Sequence, residues 1–160
     1  MRDQDRSQFD IFLSLAITFV IVILDRSTKL FFSYLLSANE SWPVIRNVFH
    51  MTLVHNTGIA FGLFKNQGIV FIIISLIAII LLIFNLYYYH QNNEALSQSY
   101  IVAFWLILGG AIGNLIDRLC YGYVIDFIDF RIWPVFNIAD SAITIGAVII
   151  AIKCFQLSVK

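Results

Sequence analysis

The sequence contains few charged residues, few prolines and few cysteines for its length. Of its 160 residues, 12% are charged, two are proline and two are cysteine, while 60% are hydrophobic. A soluble globular domain carries about 25% charged residues, and the interior of so short a chain is too small to hide this much apolar surface. The composition therefore excludes an ordinary soluble domain and predicts a membrane protein.

The sequence also lacks net charge and any cluster of metal-binding residues. Ten basic and ten acidic residues balance, so nothing favours binding to nucleic acid. Cys120 and Cys154 have no metal or redox spacing and are expected to be apolar fillers. The histidines His50, His55 and His90 do not lie at ligand spacing from cysteines or acids. We therefore expect no metal and no cofactor.

What the sequence does contain is long apolar runs, each able to form a membrane-spanning helix. The predicted spans cover residues 11–36, 68–89, 100–118 and 136–157. The predicted external cap is made of residues 37–67 and 119–135. The fold class is thus an all-α membrane protein, a four-transmembrane-helix bundle with a small extramembrane β-containing cap. We expect it to form a single membrane-embedded domain over residues 1–160.

The cap has local signals of its own. Trp42-Pro43 is expected to break the first helix, because proline cannot continue one. Val48–Val54 is rich in β-branched and aromatic residues and predicts a short strand. Asn56-Thr57-Gly58 then predicts a turn. We expect this small sheet-like cap to lie on the membrane surface.

The four-span arrangement gathers most of the polar residues that are costly near lipid at one end of the bundle. Both termini and the loop at residues 90–99 share one side. The opposite side receives Asp25, Lys29, Asn56, Arg118, Asp126 and Asp140. Basic residues are equally numerous on the two sides, so charge alone leaves the absolute orientation open.

Two acids of this group could perform chemistry. If Asp126 and Asp140 lie close together, they cannot both ionise cheaply and would share a proton. Such a pair can activate a water and protonate a leaving amine, which is peptide hydrolysis without metal or covalent intermediate. The structural alternative is that Asp140 caps a helix begun by Asn137, while Asp126 is a surface acid. Asp129 competes with Asp126, since residues three apart share a helix face but point oppositely on a strand.

A polar stripe ends the third span. Asn114, Asp117 and Arg118 follow helical spacing and could orient a substrate or the two acids. They could equally serve packing, because Gly109 and Gly113 form a GxxxG face and Asp117 could neutralise an arginine. The sequence is compatible with both roles.

Other functions are less well supported. Ser141 and Lys29 could form a serine–lysine pair, although nothing else in the sequence supports it. A small transporter or channel would need polar groups at several depths, whereas the acids here gather at one end. A structural membrane subunit would leave the paired acids unexplained.

Five short segments follow one another along nearly the whole chain. They read DRSTK at 25–29, NTGIAF at 56–61, GNLIDR at 113–118, VIDF at 124–127 and FNIAD at 136–140. These segments resemble the motifs D-Q-x-T-K, N-x-G-x-A-F, G-N-x-x-D-R, V-x-D-F and F-N-x-A-D of lipoprotein signal peptidase, or signal peptidase II, a family of bacterial membrane aspartic peptidases. Each motif is short, but five in order are specific. One departure is Arg26, which stands where the family usually has glutamine.

The resemblance implies roles for individual residues. Asp126 and Asp140 would be the catalytic pair, which would decide between Asp126 and Asp129. The residues that would bind substrate or support the site are Asp25, Lys29, Asn56, Gly58, Asn114, Arg118 and Asn137.

The resemblance also implies a reaction and a location. The protein would be an aspartic endopeptidase that removes the signal peptide from prolipoproteins carrying a diacylglyceryl-cysteine, cutting just before that cysteine. Membrane lipids and globomycin-type cyclic peptides would be its other partners. It would reside in the bacterial cytoplasmic (inner) membrane, with both termini cytoplasmic and the active site at the periplasmic or outer face. We expect a monomer.

Overall fold

The computed structural model describes residues 3–58, 68–91 and 97–158, which form long helices and short strands. The helices are α1 (Asp3–Leu35), α2 (Gly68–Gln91), α3 (Gln98–Tyr121) and α4 (Ile138–Ser158). The strands are β1 (Ser41–Ile45), β2 (Phe49–Asn56) and β3 (Val124–Asp129). Residues 59–67 of the predicted cap and 92–96 of the predicted loop lie outside the described residues.

Three of the described helices are long and apolar enough to cross a membrane. They are Ile69–Tyr88 in α2, Gln98–Tyr121 in α3 and Ile138–Gln156 in α4. Large apolar side chains of α2 point outward, with Ile69, Ile80 and Phe84 more than 60% exposed. So apolar an outward surface on a helix of this length is typical of a helix that faces lipid. The predicted helical membrane fold with a small sheet is therefore confirmed.

The α1 helix is the longest, but its described part differs from the other three. Asp25, Arg26 and Lys29 lie in its last third, where an unpaired charge would be costly near lipid. Within the protein these charges are paired and mostly buried. That α1 is a fourth membrane span stays a prediction.

The α3 helix packs against each of the other three helices. A Cβ atom on Gly113 would lie 2.7 Å from Asp25 Oδ2, and one on Gly109 would lie 3.0 Å from Ile21 Cβ. On the adjoining face, a Cβ atom on Gly110 would overlap the carbonyl oxygen of Ala139 in α4. The predicted GxxxG face is therefore a packing surface against α1, and a further glycine brings α4 equally close.

The cap is a three-stranded antiparallel sheet with the order β1-β2-β3. The predicted strand at Val48–Val54 is confirmed as β2, which begins one residue later, at Phe49, and extends to Asn56. Two further strands were not predicted. The Trp42-Pro43 pair does not end α1, which already stops at Leu35, but lies in β1. Proline is tolerated there because β1 is an edge strand.

Pairing of β3 brings distant parts of the chain together. Asp126 lies opposite Val54 of β2. On the other side of β3, Phe136 exchanges backbone hydrogen bonds with Ile128, at 3.1 Å and 2.8 Å. Because Phe136 comes just before α4, this bridge holds the first turn of α4 against the strand that carries Asp126.

The face of the sheet that points away from the Asp126 side chain packs against the end of α1. Leu36, Leu53 and Ile125 form a small buried cluster, and the rings of Phe32 and Phe127 stack with centroids 4.5 Å apart. The sheet is therefore fixed to the bundle by apolar contacts on one face. Its other face is left for the polar residues described next.

Candidate active site

A polar cavity of about 220 Å³ lies where α3, α4 and the sheet meet. It is lined by Asn56, Gly58, Asn114, Arg118, Val124, Asp126, Trp133, Pro134, Val135, Phe136 and Asp140. Both predicted catalytic acids and four of the predicted supporting residues are in this set. The structure therefore brings together residues up to 84 positions apart in sequence.

Asp126 enters the cavity from the middle of β3 and is almost completely buried, at 1% exposure. Its Oδ1 accepts a hydrogen bond from Asn137 Nδ2 at 2.7 Å, and its Oδ2 accepts one from Asn56 Nδ2 at 2.9 Å. Burial, and then the negative charge of Asp140, raise the pKa of Asp126 to about 7. This carboxyl group can therefore hold a proton near neutral pH.

Asp140 enters the same cavity from the first turn of α4. Its Oδ1 accepts a hydrogen bond from Asn114 Nδ2 at 2.7 Å. Its Oδ2 accepts one from the backbone N–H of Asn137 at 3.3 Å, while Asn137 Oδ1 accepts from the Asp140 N–H at 2.8 Å. This reciprocal pair is a capping box. The capping arrangement that the sequence offered as the structural alternative is therefore present, and Asp140 lines the cavity as well.

Asn137 joins the two acids. Its side chain is fully buried and lies within hydrogen-bond distance of Asp126 Oδ1, the Ile125 carbonyl oxygen and Asn114 Oδ1. Through its backbone and Oδ1 it also holds Asp140. A single residue just before α4 thus contacts both acids.

Asp129 does not share this environment. Its Oδ2 accepts a hydrogen bond from Thr52 Oγ1 at 2.7 Å, and its Oδ1 accepts one from the Arg131 N–H at 2.8 Å. Burial alone would raise the pKa of Asp129, but these hydrogen bonds and the Arg131 charge hold it below its usual range. Because residues 124–129 form a strand, Asp126 and Asp129 point to opposite faces. Of the two, only Asp126 lines the cavity.

Asp25 and Lys29 lie behind the cavity wall rather than in it. Lys29 is fully buried, and its Nζ contacts Asp25 Oδ2 at 2.7 Å, Asp117 Oδ2 at 2.9 Å and Asn114 Oδ1 at 3.0 Å. Asp25 Oδ1 accepts a hydrogen bond from the Ala139 N–H at 3.0 Å. Asn114 in turn donates to Asp140. Lys29 of α1 is therefore connected to the Asp140 carboxylate through Asn114.

Arg118 reaches across the cavity to α2. Its Nη1 lies 3.5 Å from Ser75 Oγ, and its guanidinium lies over the ring of Phe71 at 5.7 Å. Neither α2 residue was predicted as part of the site, and the only signal was that Ser75 is polar within an apolar run. The wall at Trp133–Val135 was also missed, because no chemical pattern distinguishes it.

The alternatives from the sequence find little support in this geometry. Ser141 Oγ donates to the Asn137 carbonyl oxygen at 2.9 Å, at the start of α4, and Lys29 is held by other partners, so a serine–lysine pair is not formed. His55 stacks on the ring of Tyr123 at 4.2 Å. Across residues 3–58, 68–91 and 97–158, no three His, Cys, Asp or Glu side chains are grouped to hold a metal ion.

Fold and site define a helical membrane protein with two acids in one polar cavity at the end of its helices. Residues 17–156 match the profile of the family described as signal peptidase (SPase) II. The chain therefore belongs to the signal peptidase II family of membrane aspartic peptidases. Family membership favours a peptidase over the transporter and structural-subunit alternatives.

Individual relatives agree with this assignment. The lipoprotein signal peptidase of Halothermothrix orenii is 41% identical over 140 residues, covering 88% of this chain and 93% of the relative. That of Moorella thermoacetica is 44% identical over 146 residues, with 91% of each chain covered. A solved structure described as a bacterial membrane enzyme superposes with a TM-score of 0.82 at 35% identity, covering 91% of this chain and 89% of the other.

Proposed function

We propose that this protein removes the signal peptide from diacylglyceryl-modified prolipoproteins, cutting before the lipidated cysteine, with Asp126 and Asp140 as its catalytic pair. Family membership supports prolipoproteins as the substrate class. The observation that carries the residue assignment is that both acids line one cavity and are held by the same asparagine, Asn137. No cofactor is part of the proposal.

In this mechanism the acid pair holds one proton between two carboxyl groups. The ionised carboxylate removes a proton from a water, and the resulting hydroxide attacks the carbonyl carbon before the lipidated cysteine. The protonated carboxyl group then donates its proton to the departing amine. A pKa of about 7 at Asp126 makes that carboxyl group suited to hold the shared proton under neutral conditions.

The neighbouring polar residues have distinct proposed roles. Asn56, Asn114 and Asn137 orient the carboxyl groups through the hydrogen bonds described above. Arg118 also lines the cavity. Its proposed role is to bind carbonyl oxygens of the substrate backbone. Asp25 and Lys29 support this wall from α1, and Gly58 closes the turn after β2 by donating to Asn56 Oδ1 at 3.0 Å.

We further propose that α1 is a fourth membrane span and that residues 1–160 form one domain. Both termini would then be cytoplasmic, and the cavity would open at the periplasmic or outer face of the bacterial cytoplasmic membrane. The lipid tails of the substrate stay in the bilayer, and only the scissile peptide bond reaches the polar cavity. We propose a monomer that contacts membrane lipids and is inhibited by globomycin-type peptides.

The test compares two prolipoprotein substrates that differ only at the cysteine, in matched detergent, and follows cleavage by gel shift. One carries the diacylglyceryl-cysteine, and in the other that cysteine is changed to serine. Two acyl chains fix the cysteine at the membrane surface, since each buried methylene contributes about 0.8 kcal/mol. We expect rapid cleavage of the lipidated substrate and far slower cleavage of the other. Equal rates would mean that lipid is not recognised, and Asp126→Asn serves as the inactive control.

A further inference from the structure

Arg26 is bound to α3 by several contacts of its guanidinium. Its Nη1 forms an ion pair with Asp117 Oδ1, and its Nη2 donates to the Tyr121 hydroxyl at 3.1 Å. The guanidinium also lies over the Tyr121 ring, 5.6 Å from its centroid. The side chain is only 19% exposed. A forked cation with two separate partners and a ring beneath it is fixed in position more firmly than a single ammonium would be.

The partner of Arg26 is itself connected to the strand of the acid pair. Asp117 is fully buried, and its Oδ2 accepts hydrogen bonds from Lys29 Nζ at 2.9 Å and from the Ile125 N–H at 3.1 Å. Ile125 is the residue before Asp126, and its carbonyl oxygen is held by Asn137. Asp117 therefore ties the peptide next to Asp126 to α1 and α3.

We propose that Arg26 is a positioning residue for the acid pair. By binding Asp117, it fixes the strand that carries Asp126 and leaves the Lys29 ammonium available to Asn114 and, through it, to Asp140. This role presupposes the catalytic pair proposed above. It is distinct from the family pattern, in which the position usually holds an uncharged glutamine.

The charges next to the catalytic pair give this role a measurable consequence. Behind the cavity wall lies a layer of four charged side chains, in which the two acids Asp25 and Asp117 pair with the two cations Arg26 and Lys29, so the layer is neutral. Without Arg26 the layer would carry one net negative charge, which would oppose ionisation of the pair above it. Among residues 3–58, 68–91 and 97–158, the other charged group that acts on the pair is Arg118 of α3, while α4 and the sheet contribute Asp140 and Asp126 themselves.

The experiment measures the pH–rate profile of the full-length protein in detergent with lipidated substrate. Arg26→Gln should move the profile to higher pH by about half a unit or more, less than the one to three units that a charge in direct contact produces. Arg26→Lys keeps the charge and should leave the profile in place. Arg46→Gln removes an exposed cation from the turn after β1 and controls for the loss of charge alone.

A second measurement reports how firmly strand β3 is held, independently of the reaction. Hydrogen exchange of the Ile125 amide should become faster in both Arg26 variants, because the hydrogen bond to Asp117 loosens. A purely structural role would lower the rate at every pH without moving the profile. The inference is wrong if Arg26→Gln changes neither the pH–rate profile nor the exchange rate of the Ile125 amide. If Arg26→Gln does not fold, the inference is wrong when Arg26→Lys leaves that exchange rate unchanged. Activity in Asp126→Asn would instead overturn the proposed catalytic pair, whatever Arg26 does.

Discussion

At the scale of single residues, backbone geometry separates chemically equivalent acids. Asp126 and Asp129 lie in one strand, yet one enters the cavity and the other binds Thr52 and Arg131. Spacing alone predicted both as candidates, since the choice depends on whether the segment is a strand or a helix, and only the resemblance to the peptidase family favoured Asp126. The capping relation of Asn137 and Asp140 was predictable because it is local. The contact of Asn137 with Asp126 was not, because it depends on tertiary pairing.

Substitution of the three acids tests this division. We expect Asp126→Asn and Asp140→Asn each to abolish cleavage while the protein still inserts, because either change removes a carboxyl group that must give or take a proton. Asp129→Asn should retain substantial activity, since its partners lie outside the cavity. Cleavage of lipidated substrate by the purified variants is the measurement. An inactive Asp129→Asn beside an active Asp126→Asn would show that the wrong acid had been chosen.

The pH dependence of the rate follows from the same residue. The pKa of Asp126 is raised from 3.8 to about 7, so the shared proton is present below that pH and is lost as the pH rises through it. The rate should therefore fall above about pH 7, approaching a tenfold loss per pH unit. Asp129→Asn should give the same profile, because Asp129 is already ionised throughout this range. A rate that keeps rising to pH 9 would contradict a role for a proton held at Asp126.

At the scale of elements, the long apolar helices were predictable and the sheet was only partly so. Hydropathy over about 20 residues needs no tertiary information, and β2 had a clear β-branched composition. β1 and β3 are five and six residues long and gain their stability from pairing with a distant strand. Such pairing leaves little local signal. The same nonlocal pairing, through Phe136 and Ile128, places α4 beside β3.

The close approach of α3 and α4 gives a test of this placement. In Gly110→Ala the added methyl group would overlap the Ala139 carbonyl oxygen and lie 2.8 Å from Ile143 Cγ1. Because Ala139 precedes Asp140, α4 must shift and carry that carboxyl group with it. We expect a loss of stability of about 1–3 kcal/mol and a lower rate. Thermal unfolding in detergent and cleavage measure the two effects.

A matched control lies on the exposed surface of α4. Ala147→Val adds methyl groups where the helix faces outward, so both stability and rate should stay near those of the parent. If Gly110→Ala behaves like Ala147→Val, the two helices do not need the glycine to position Asp140.

At the scale of the whole molecule, the polar residues form one connected system at one end of an apolar bundle. Lys29 connects α1 to Asn114 of α3, Asn114 connects to Asp140 of α4, and Asn137 connects to Asp126 of the sheet. The helices α1, α3 and α4 each contribute a buried polar side chain to these connected residues. The α2 helix contributes Ser75, which lies beside Arg118. Buried polar groups are tolerated next to hydrocarbon only when they are paired in this way.

Membrane topology is the prediction that belongs to this scale. If α1 crosses the membrane as α2, α3 and α4 can, an even number of spans puts both termini on one side. Residues 92–96 between α2 and α3 must share that side. The sheet, which follows α1 and α3, must lie on the other. Reporter fusions should therefore read cytoplasmic at Asn93 and external after Arg131.

A third fusion, at the amino terminus, distinguishes the possible roles of α1. Asp25 and Lys29 neutralise each other within the protein, so their charges do not prevent α1 from spanning. A fusion at the amino terminus should then report the same side as Asn93. If the amino terminus reports the side of Arg131 instead, α1 lies along the membrane surface. In that case the polar contacts that link α1 to α3 and α4 would lie at the membrane surface, and the four-span arrangement would be wrong.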